Sequence, residues 1–154
     1  MRKTNKGFTL IELLVVIAII GLLSTLAVVA LNSARQKSRD SKRVADIKQV
    51  QTALELYFAD QNGYPADPTG YLGETGAVAL CSNGWQATCG SNTTYMGLVP
   101  SAPTPADGTC TTSTNPYDYT QTGSGSGYTL LFCIGGTVGD LTAGAHTGSA
   151  NGIQ

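Results

Sequence analysis

Basic residues are absent from most of this chain. All nine Lys and Arg residues lie at or before Lys48, whereas seven acidic residues follow that position. A segment with this charge repels polyanions and lacks the cations that neutralise phosphate groups in non-specific nucleic-acid binding. The charge distribution therefore predicts that residues 49–154 do not bind nucleic acids directly.

Histidine is almost absent as well. His146 is the single histidine, and it lies in a tail rich in Gly, Ser and Thr. The sequence shows no Ser/His/Asp, Cys/His or paired-carboxylate arrangement, although acid–base and nucleophilic catalysis depend on such groupings. We predict that the protein is not an enzyme, that it has no catalytic residues and that it uses no cofactor.

The main feature that is present is an apolar run of 24 residues from Phe8 to Leu31, in which Glu12 is the only charged residue. As a helix rising about 1.5 Å per residue, this run reaches about 36 Å, enough to cross a hydrocarbon core of about 30 Å. It is too long for the apolar core of a signal peptide, and no small-residue cleavage site follows it. A carboxylate inside such a run is costly, which makes Glu12 a functional candidate.

The residues at the start of this run resemble the class III signal of type IV pilins and type II secretion pseudopilins. The resemblance rests on the basic leader, Gly7, the string Phe8-Thr9-Leu10-Ile11-Glu12 and the aliphatic run, and it continues more weakly to Pro65. It implies that a prepilin peptidase cuts between Gly7 and Phe8 and methylates the new Phe8 amine. It also implies that Glu12 pairs with that amine on a neighbouring subunit.

The same resemblance implies a cellular setting. The chain would be a single-pass precursor in the cytoplasmic membrane, would contact an assembly platform protein there, and would form a homo-oligomeric helical filament together with minor pilins. Some major pseudopilins bind calcium through acidic residues near the C-terminus. Here Asp140 stands alone, and calcium takes about six to eight oxygen ligands, so we predict no metal site.

Beyond the apolar run, the sequence predicts that the helix continues to Asn62. Apolar residues recur there at spacings of three and four, which defines one helical stripe. The stripe comprises Val44, Ile47, Val50, Leu54, Tyr57 and Phe58. We expect Gly63 to cap the helix in the left-handed conformation, with Pro65 preventing its continuation.

The basic cluster from Arg35 to Arg43 precedes this stripe. We interpret it as a solvated collar beside the membrane. The alternative is contact with anionic lipid headgroups or with the acidic heads of neighbouring subunits. Asp40 and Arg43, and Arg43 and Asp46, are three residues apart and can pair along the helix surface.

Four cysteines follow the apolar run, and an even number in an exported segment favours disulfides. Their spacing does not fit a zinc ribbon. Four cysteines allow three pairings, of which we predict Cys81–Cys89, which closes a short loop, and Cys110–Cys133, which ties the segment before a hairpin to its strongest strand. Trp85, between two of these cysteines, is interpreted as a loop anchor, with an exposed binding aromatic as the alternative.

The segment 63–154, which we call the head, has the sequence signals of a small β domain. We predict a hairpin in which the segments 117–120 and 128–134 flank a Gly/Ser turn, a short third strand at 137–138, a short helix near 71–79, and a mobile tail over the last fifteen residues. The fold class is α+β, a long helix packed on a small antiparallel sheet. The predicted parts are the leader 1–7, the transmembrane half 8–31, the amphipathic half 32–62 and the disulfide-containing head 63–154.

Three functions are compatible with these observations. The first is a structural subunit of a type IV pilus-like filament at the cell surface. The second is a type II secretion pseudopilin forming a short periplasmic piston, which the Asn62-Gly63-Tyr64-Pro65 junction favours. The third is a minor pilin with an adhesive or ligand-binding head, for which Trp85 and the tyrosines are the only hint.

Overall fold

The computed structural model describes residues 7–154; most of the predicted leader, residues 1–6, lies outside this description. The described residues form one long helix and seven short strands, in the α+β class that the sequence predicts. The elements are α1 (Leu10–Gln61), β1 (Ala79–Cys81), β2 (Gly84–Gln86), β3 (Thr94–Met96), β4 (Asp118–Thr122), β5 (Gly127–Ile134), β6 (Gly144–Ser149) and β7 (Gly152–Ile153). They divide into two compact units, residues 7–35 as described and Gln36–Gln154.

The first unit is the apolar start of α1. Every residue from 7 to 35 is exposed in the isolated chain. The helix that begins here contains an 18-residue window of mean hydropathy 2.9, and by length and composition it can cross a membrane. Side chains this apolar need a non-aqueous environment, because exposing them to water costs free energy in proportion to their area.

The second unit has its core between α1 and the sheets. Ile47, Val50, Leu54 and Tyr57 form the buried stripe of the helix, with Val44 and Phe58 half-buried beside it, as the periodicity predicts. In β5, alternate side chains point into the same core because strand residues face opposite sides in turn. The inward set is Tyr128, Leu130, Phe132 and Ile134.

Two antiparallel sheets build the head. The smaller has the strand order β2-β1-β3, and the larger has the order β4-β5-β6-β7. The predicted hairpin is confirmed, since β4 pairs with β5 in a register that sets Tyr119 opposite Leu130. The four cysteines form the disulfides Cys81–Cys89 and Cys110–Cys133, the pairing expected from the sequence.

The prediction of a short helix near residues 71–79 is wrong. This stretch consists of turns that lead into β1. Gly70, Gly73 and Gly76 all have positive φ, a conformation that glycine adopts readily and that interrupts a right-handed helix. The sequence also missed the smaller sheet, because strands of three residues are too short for a clear alternating pattern.

The C-terminal segment differs from the tail that the sequence predicts. Gly144–Ser149 forms β6 along the edge of β5, and β7 pairs with β6 in turn. At 137–138, where a third strand was expected, the chain forms only an isolated bridge between Val138 and Leu141. The small side chains of β6 suit it for this position. A Cβ added to Gly148 would lie only 3.1 Å from the side chain of Ile47 in α1.

The end of α1 also departs from expectation in one residue. Asn62, not Gly63, takes the left-handed conformation, with φ of 56°. Its backbone N–H donates to the carbonyl of Phe58 at 2.8 Å. Asn is the residue besides glycine that most often accepts this conformation at a helix C-terminus.

Candidate functional site

The N-terminal end of α1 is closed by a reciprocal pair of side chains, Thr9 and Glu12. The backbone N–H of Thr9 donates to Glu12 Oε2 at 2.8 Å and its hydroxyl donates to the same oxygen at 2.7 Å. The backbone N–H of Glu12 donates back to Thr9 Oγ1 at 3.2 Å. This is a capping box, which satisfies N–H groups that the first turn of a helix leaves without partners.

The residues just before the cap are accessible. Gly7 and Phe8 are exposed and not helical, and Phe8 exposes 76% of its surface. An added Cβ at Gly7 meets no atom within 4 Å. The Gly7–Phe8 peptide bond therefore lies in an exposed, non-helical segment directly before the capped helix.

A second group of polar residues lies inside the head, where Arg43 is completely buried. Its Nη1 donates to Asp40 Oδ1 at 2.7 Å and to Asp107 Oδ2 at 3.2 Å. Its Nη2 donates to Asn115 Oδ1 at 2.8 Å and to the carbonyl of Pro103 at 3.0 Å. A buried guanidinium is tolerable only with such partners, because its desolvation costs several kcal/mol.

Asp107 is shared between two arginines. Arg39 binds both of its carboxylate oxygens, through Nε at 2.6 Å and Nη2 at 2.5 Å. The hydrogen bond from Arg39, followed by that from Arg43, holds the pKa of Asp107 below its ordinary value, against the opposing effect of burial. The same hydrogen bond raises the pKa of Arg39.

Asp40 connects the helix to the end of β5. Its two oxygens accept the consecutive backbone N–H groups of Gly135 and Gly136, each at 2.9 Å. The loop that carries Asp107 also reaches this point, because Gly108 and Gly135 lack side chains. A Cβ at Gly108 would lie 2.0 Å from the Gly135 carbonyl oxygen.

These contacts correct the interpretation of residues 35–43 as a solvated collar. Arg35 and Lys37 are exposed, as a collar requires, but Arg39 and Arg43 are used within the head. Asp40 and Arg43 pair as expected but in the interior, whereas Asp46 pairs with Lys42 at 2.8 Å and not with Arg43.

A signal for this cluster was present in the sequence. Asp40 and Arg43 lie seven and four residues before Ile47, and so continue the buried stripe toward the N-terminus. A polar pair of opposite charge at core positions indicates a buried network. The periodicity of the apolar residues alone leaves both residues outside the stripe and so predicts surface positions for them.

The described residues contain no group of three or more His, Cys, Asp or Glu side chains placed to hold a metal ion. His146 lies in β6, and its ring nitrogens face the carbonyl oxygens of Thr142 at 2.7 Å and Gln154 at 3.1 Å. Those contacts give His146 a local structural role.

Comparison with known proteins adds direct information on the N-terminal site. The prokaryotic N-terminal methylation motif matches residues 2–28. The chain is 43% identical over 72 residues to the type II secretion system core protein G of Escherichia coli (strain K12), an alignment covering 46% of this chain and 50% of the relative. The corresponding protein of Aeromonas hydrophila is 39% identical over 69 residues, covering 45% of this chain and 48% of that one.

A relative of another kind is a fimbrial protein of Dichelobacter nodosus. It is 41% identical over 85 residues, covering 52% of this chain and 53% of the fimbrial protein. The chain thus spans about half the length of the curated relatives it matches. No solved structure matches the chain.

Proposed function

We propose that the chain is a structural subunit of a type II secretion pseudopilus, on the basis of its similarity to type IV pilins and pseudopilins. The observation that carries the finer assignment is its similarity to core protein G from several bacteria. The long helix with an apolar first part suits a subunit that waits in the cytoplasmic membrane and then polymerises. Its partners would be further copies of itself, minor pilins, a prepilin peptidase and an assembly platform protein.

Processing is the first step of this proposal. The peptidase would cut between Gly7 and Phe8 and methylate the Phe8 amine. The exposed, non-helical segment before the capped helix supports this, because a protease needs a bond that it can reach outside regular secondary structure. Intact-mass measurement of the membrane-extracted protein should show loss of residues 1–7 and gain of one methyl group, and both changes should disappear in a strain without the peptidase.

Glu12 would act after processing. Its Oε2 is occupied by Thr9, while no hydrogen bond to Oε1 is formed among the described residues. One oxygen can therefore keep the cap while the other accepts the charged amine of Phe8 on a neighbouring subunit. In an apolar surrounding such a pair would neutralise both groups and set the axial register, since an unpaired charge there is costly.

Two substitutions separate the cap from the charge. Glu12→Gln keeps an oxygen that can accept the Thr9 hydrogen bonds but removes the negative charge, whereas Glu12→Ala removes both. We expect both variants to be cleaved and to retain a folded head, and both to lose filaments in electron micrographs. Normal filaments formed by Glu12→Gln alone would reject the charge pair and leave only the cap as the role of Glu12.

A type IV pilus subunit is the second candidate, and the fimbrial relative supports it. The two machines differ in where the filament lies, because a pilus extends from the cell surface and a pseudopilus stays in the periplasm. Immunogold labelling of intact cells, compared with cells whose outer membrane has been opened, distinguishes them. A retraction ATPase gene beside this gene would favour the pilus, and an outer-membrane secretin with secretion genes would favour the pseudopilus.

A further inference from the structure

The part of α1 in the second unit leaves one face uncovered. The side chains opposite the buried stripe are exposed, and most of them are small. We call them the outer face of α1: Ser38, Ser41, Ala45, Thr52, Leu56 and Ala59. Leu56 is 55% exposed, and an apolar side chain gains free energy when a partner covers it. Because small side chains allow a partner helix to approach closely, this face is suited to helix packing.

Two segments of this face share one pattern with opposite charge. The basic segment, residues 37–42, has the sequence KSRDSK, in which a lysine precedes Ser38 and another follows Ser41. The acidic segment, residues 55–60, has the sequence ELYFAD, in which carboxylates flank Leu56 and Ala59 at the same spacing. Each segment therefore presents two outer-face residues between two charges of one sign, positive in the first and negative in the second.

The four flanking charges are available to a partner. Lys37 forms no ion pair within residues 7–154, and Lys42 stays 54% exposed although it binds Asp46 at 2.8 Å. Each carboxylate of the acidic segment accepts one hydrogen bond from a tyrosine hydroxyl, at 2.9 Å for Glu55 and at 3.0 Å for Asp60. The second oxygen of each carboxylate has no hydrogen bond among the described residues. All four groups can therefore form ion pairs with another molecule.

The two segments fit each other as parallel helices. When parallel helices meet along a seam of a and d positions, the residues at the neighbouring g and e positions pair across that seam. Lys37 and Lys42 occupy the g and e positions of the basic segment, and Glu55 and Asp60 occupy those of the acidic segment. The segments lie 18 residues apart on one continuous helix, about 27 Å, so they cannot meet within one copy.

We propose that the basic segment of one copy docks on the acidic segment of a second copy, with the two helices parallel and shifted by about 27 Å. Lys37 then pairs with Asp60 and Lys42 with Glu55, while the small residues of the basic segment cover Leu56. Exposed ion pairs add little affinity, so these pairs chiefly set the register. Without the shift, each charge would lie opposite a charge of the same sign, which is repulsive.

The shift gives the contact a place in assembly, and this step rests on the proposed filament role. Subunits that span one membrane through the apolar start of α1 would lie at the same depth, where the two segments cannot meet. The contact forms once one subunit has moved along its axis relative to the next, as filament growth requires. It therefore distinguishes assembled from unassembled subunits.

Cross-linking in cells tests the pairing. Two differently tagged variants, Lys37→Cys and Asp60→Cys, are expressed together and treated with a short bifunctional thiol reagent; the four natural cysteines are held in disulfides. We expect a mixed dimer carrying both tags, and none from either variant alone or in a strain without the assembly platform protein. Lys37→Cys with Glu55→Cys, which lie on opposite sides of the seam, should give much less product. The reverse preference would overturn the proposal, because it is the pattern of antiparallel helices.

Charge reversal tests the ion pairs. Lys37→Glu and Asp60→Lys should each lower the filament yield in electron micrographs about tenfold, and the two substitutions combined in one chain should restore it. Glu74→Lys makes the same kind of charge change at an exposed position outside α1 and should leave the yield unchanged. A double variant that fails to restore the yield would assign Lys37 to another partner, such as anionic lipid headgroups, and would contradict the docking.

The outcomes separate this contact from the proposed function. Filaments without the mixed dimer would reject the contact and leave the filament role intact. The mixed dimer without filaments would support the contact and reject the filament role. Absence of both would reject both.

Discussion

Arg43 and Asp107, which lie 64 residues apart in the chain, form an ion pair of 3.2 Å inside the head. Arg39 binds the same carboxylate from the rim, where its side chain is 25% exposed. The long loop between β3 and β4 is thus attached to the helix by charge, while the Cys110–Cys133 disulfide attaches it to β5.

Replacing Arg43 with methionine should lower the free energy of unfolding of the head by about 3–5 kcal/mol, because two carboxylates lose their buried partner. Lys42→Met is the matched control on the same turn. Lys42 is 54% exposed and pairs with Asp46, so its loss should change stability by less than about 1 kcal/mol. Urea unfolding followed by Trp85 fluorescence measures both, and equal effects of the two substitutions would contradict a buried role for Arg43.

Acid should weaken the head through Asp107. Its pKa is lowered in the folded state, chiefly by the hydrogen bond from Arg39. The stabilisation is therefore fully present above the ordinary pKa of about 4 and is lost as the pH falls through the lower folded-state value. Asp107→Asn should be less stable than the natural protein at neutral pH, and the difference should shrink below pH of about 4. Asp140→Asn, an exposed control, should show no such convergence.

Alkali should act through Tyr64, whose hydroxyl donates to Glu55 at 2.9 Å. Burial, followed by this hydrogen bond, raises the pKa of Tyr64 to about 12. The folded state favours the neutral phenol. Its contribution to the stability of the head is therefore complete below the ordinary tyrosine pKa of about 10 and is lost as the pH rises toward the folded-state pKa. Tyr64→Phe should remove this part of the alkaline destabilisation. A tyrosinate absorbance titration that shows Tyr64 ionising at its ordinary pKa would refute the prediction.

The two disulfides should differ in their contribution. Cys110–Cys133 closes a loop of sequence separation 23 and Cys81–Cys89 one of 8. Because loop-closure entropy grows with loop length, the expected stabilisation is about 3.4 kcal/mol for Cys110–Cys133 and about 2.6 kcal/mol for Cys81–Cys89. Paired Cys→Ser substitutions, measured by urea unfolding of the full chain in detergent, should follow this order. The reverse order would mean that native contacts, and not chain entropy, dominate.

The features that the sequence predicted well are those encoded locally. The stripe through Ile47, Val50 and Leu54 has the helical period, and the run from Tyr128 to Ile134 is apolar and β-branched enough to be a strand by itself. The cysteine pairing was predicted from local positions in the sequence, with one pair closing a short loop and the other joining the segment before the hairpin to its strongest strand. None of these inferences needed information from residues far away in the chain.

What the sequence did not predict depends on distant partners. Arg43 is buried only because Asp107, Asn115 and a proline-rich loop fold over it. β6 has the sequence GAHTGS, which carries no strand pattern, and it is a strand because β5 offers an open edge. Asp67 and Asn83 meet in one cavity only after the hairpin packs on the helix. Such features arise from tertiary contacts, which override local propensity.

The distribution of basic residues has a consequence for digestion. Proteases of the trypsin class cut after Lys or Arg, and the segment from 49 to 154 contains neither. Upstream, Arg43 is inaccessible, and Lys48 lies in a helical backbone that a protease must first unwind. Laboratory trypsin would therefore release the head as one large fragment with both disulfides inside it.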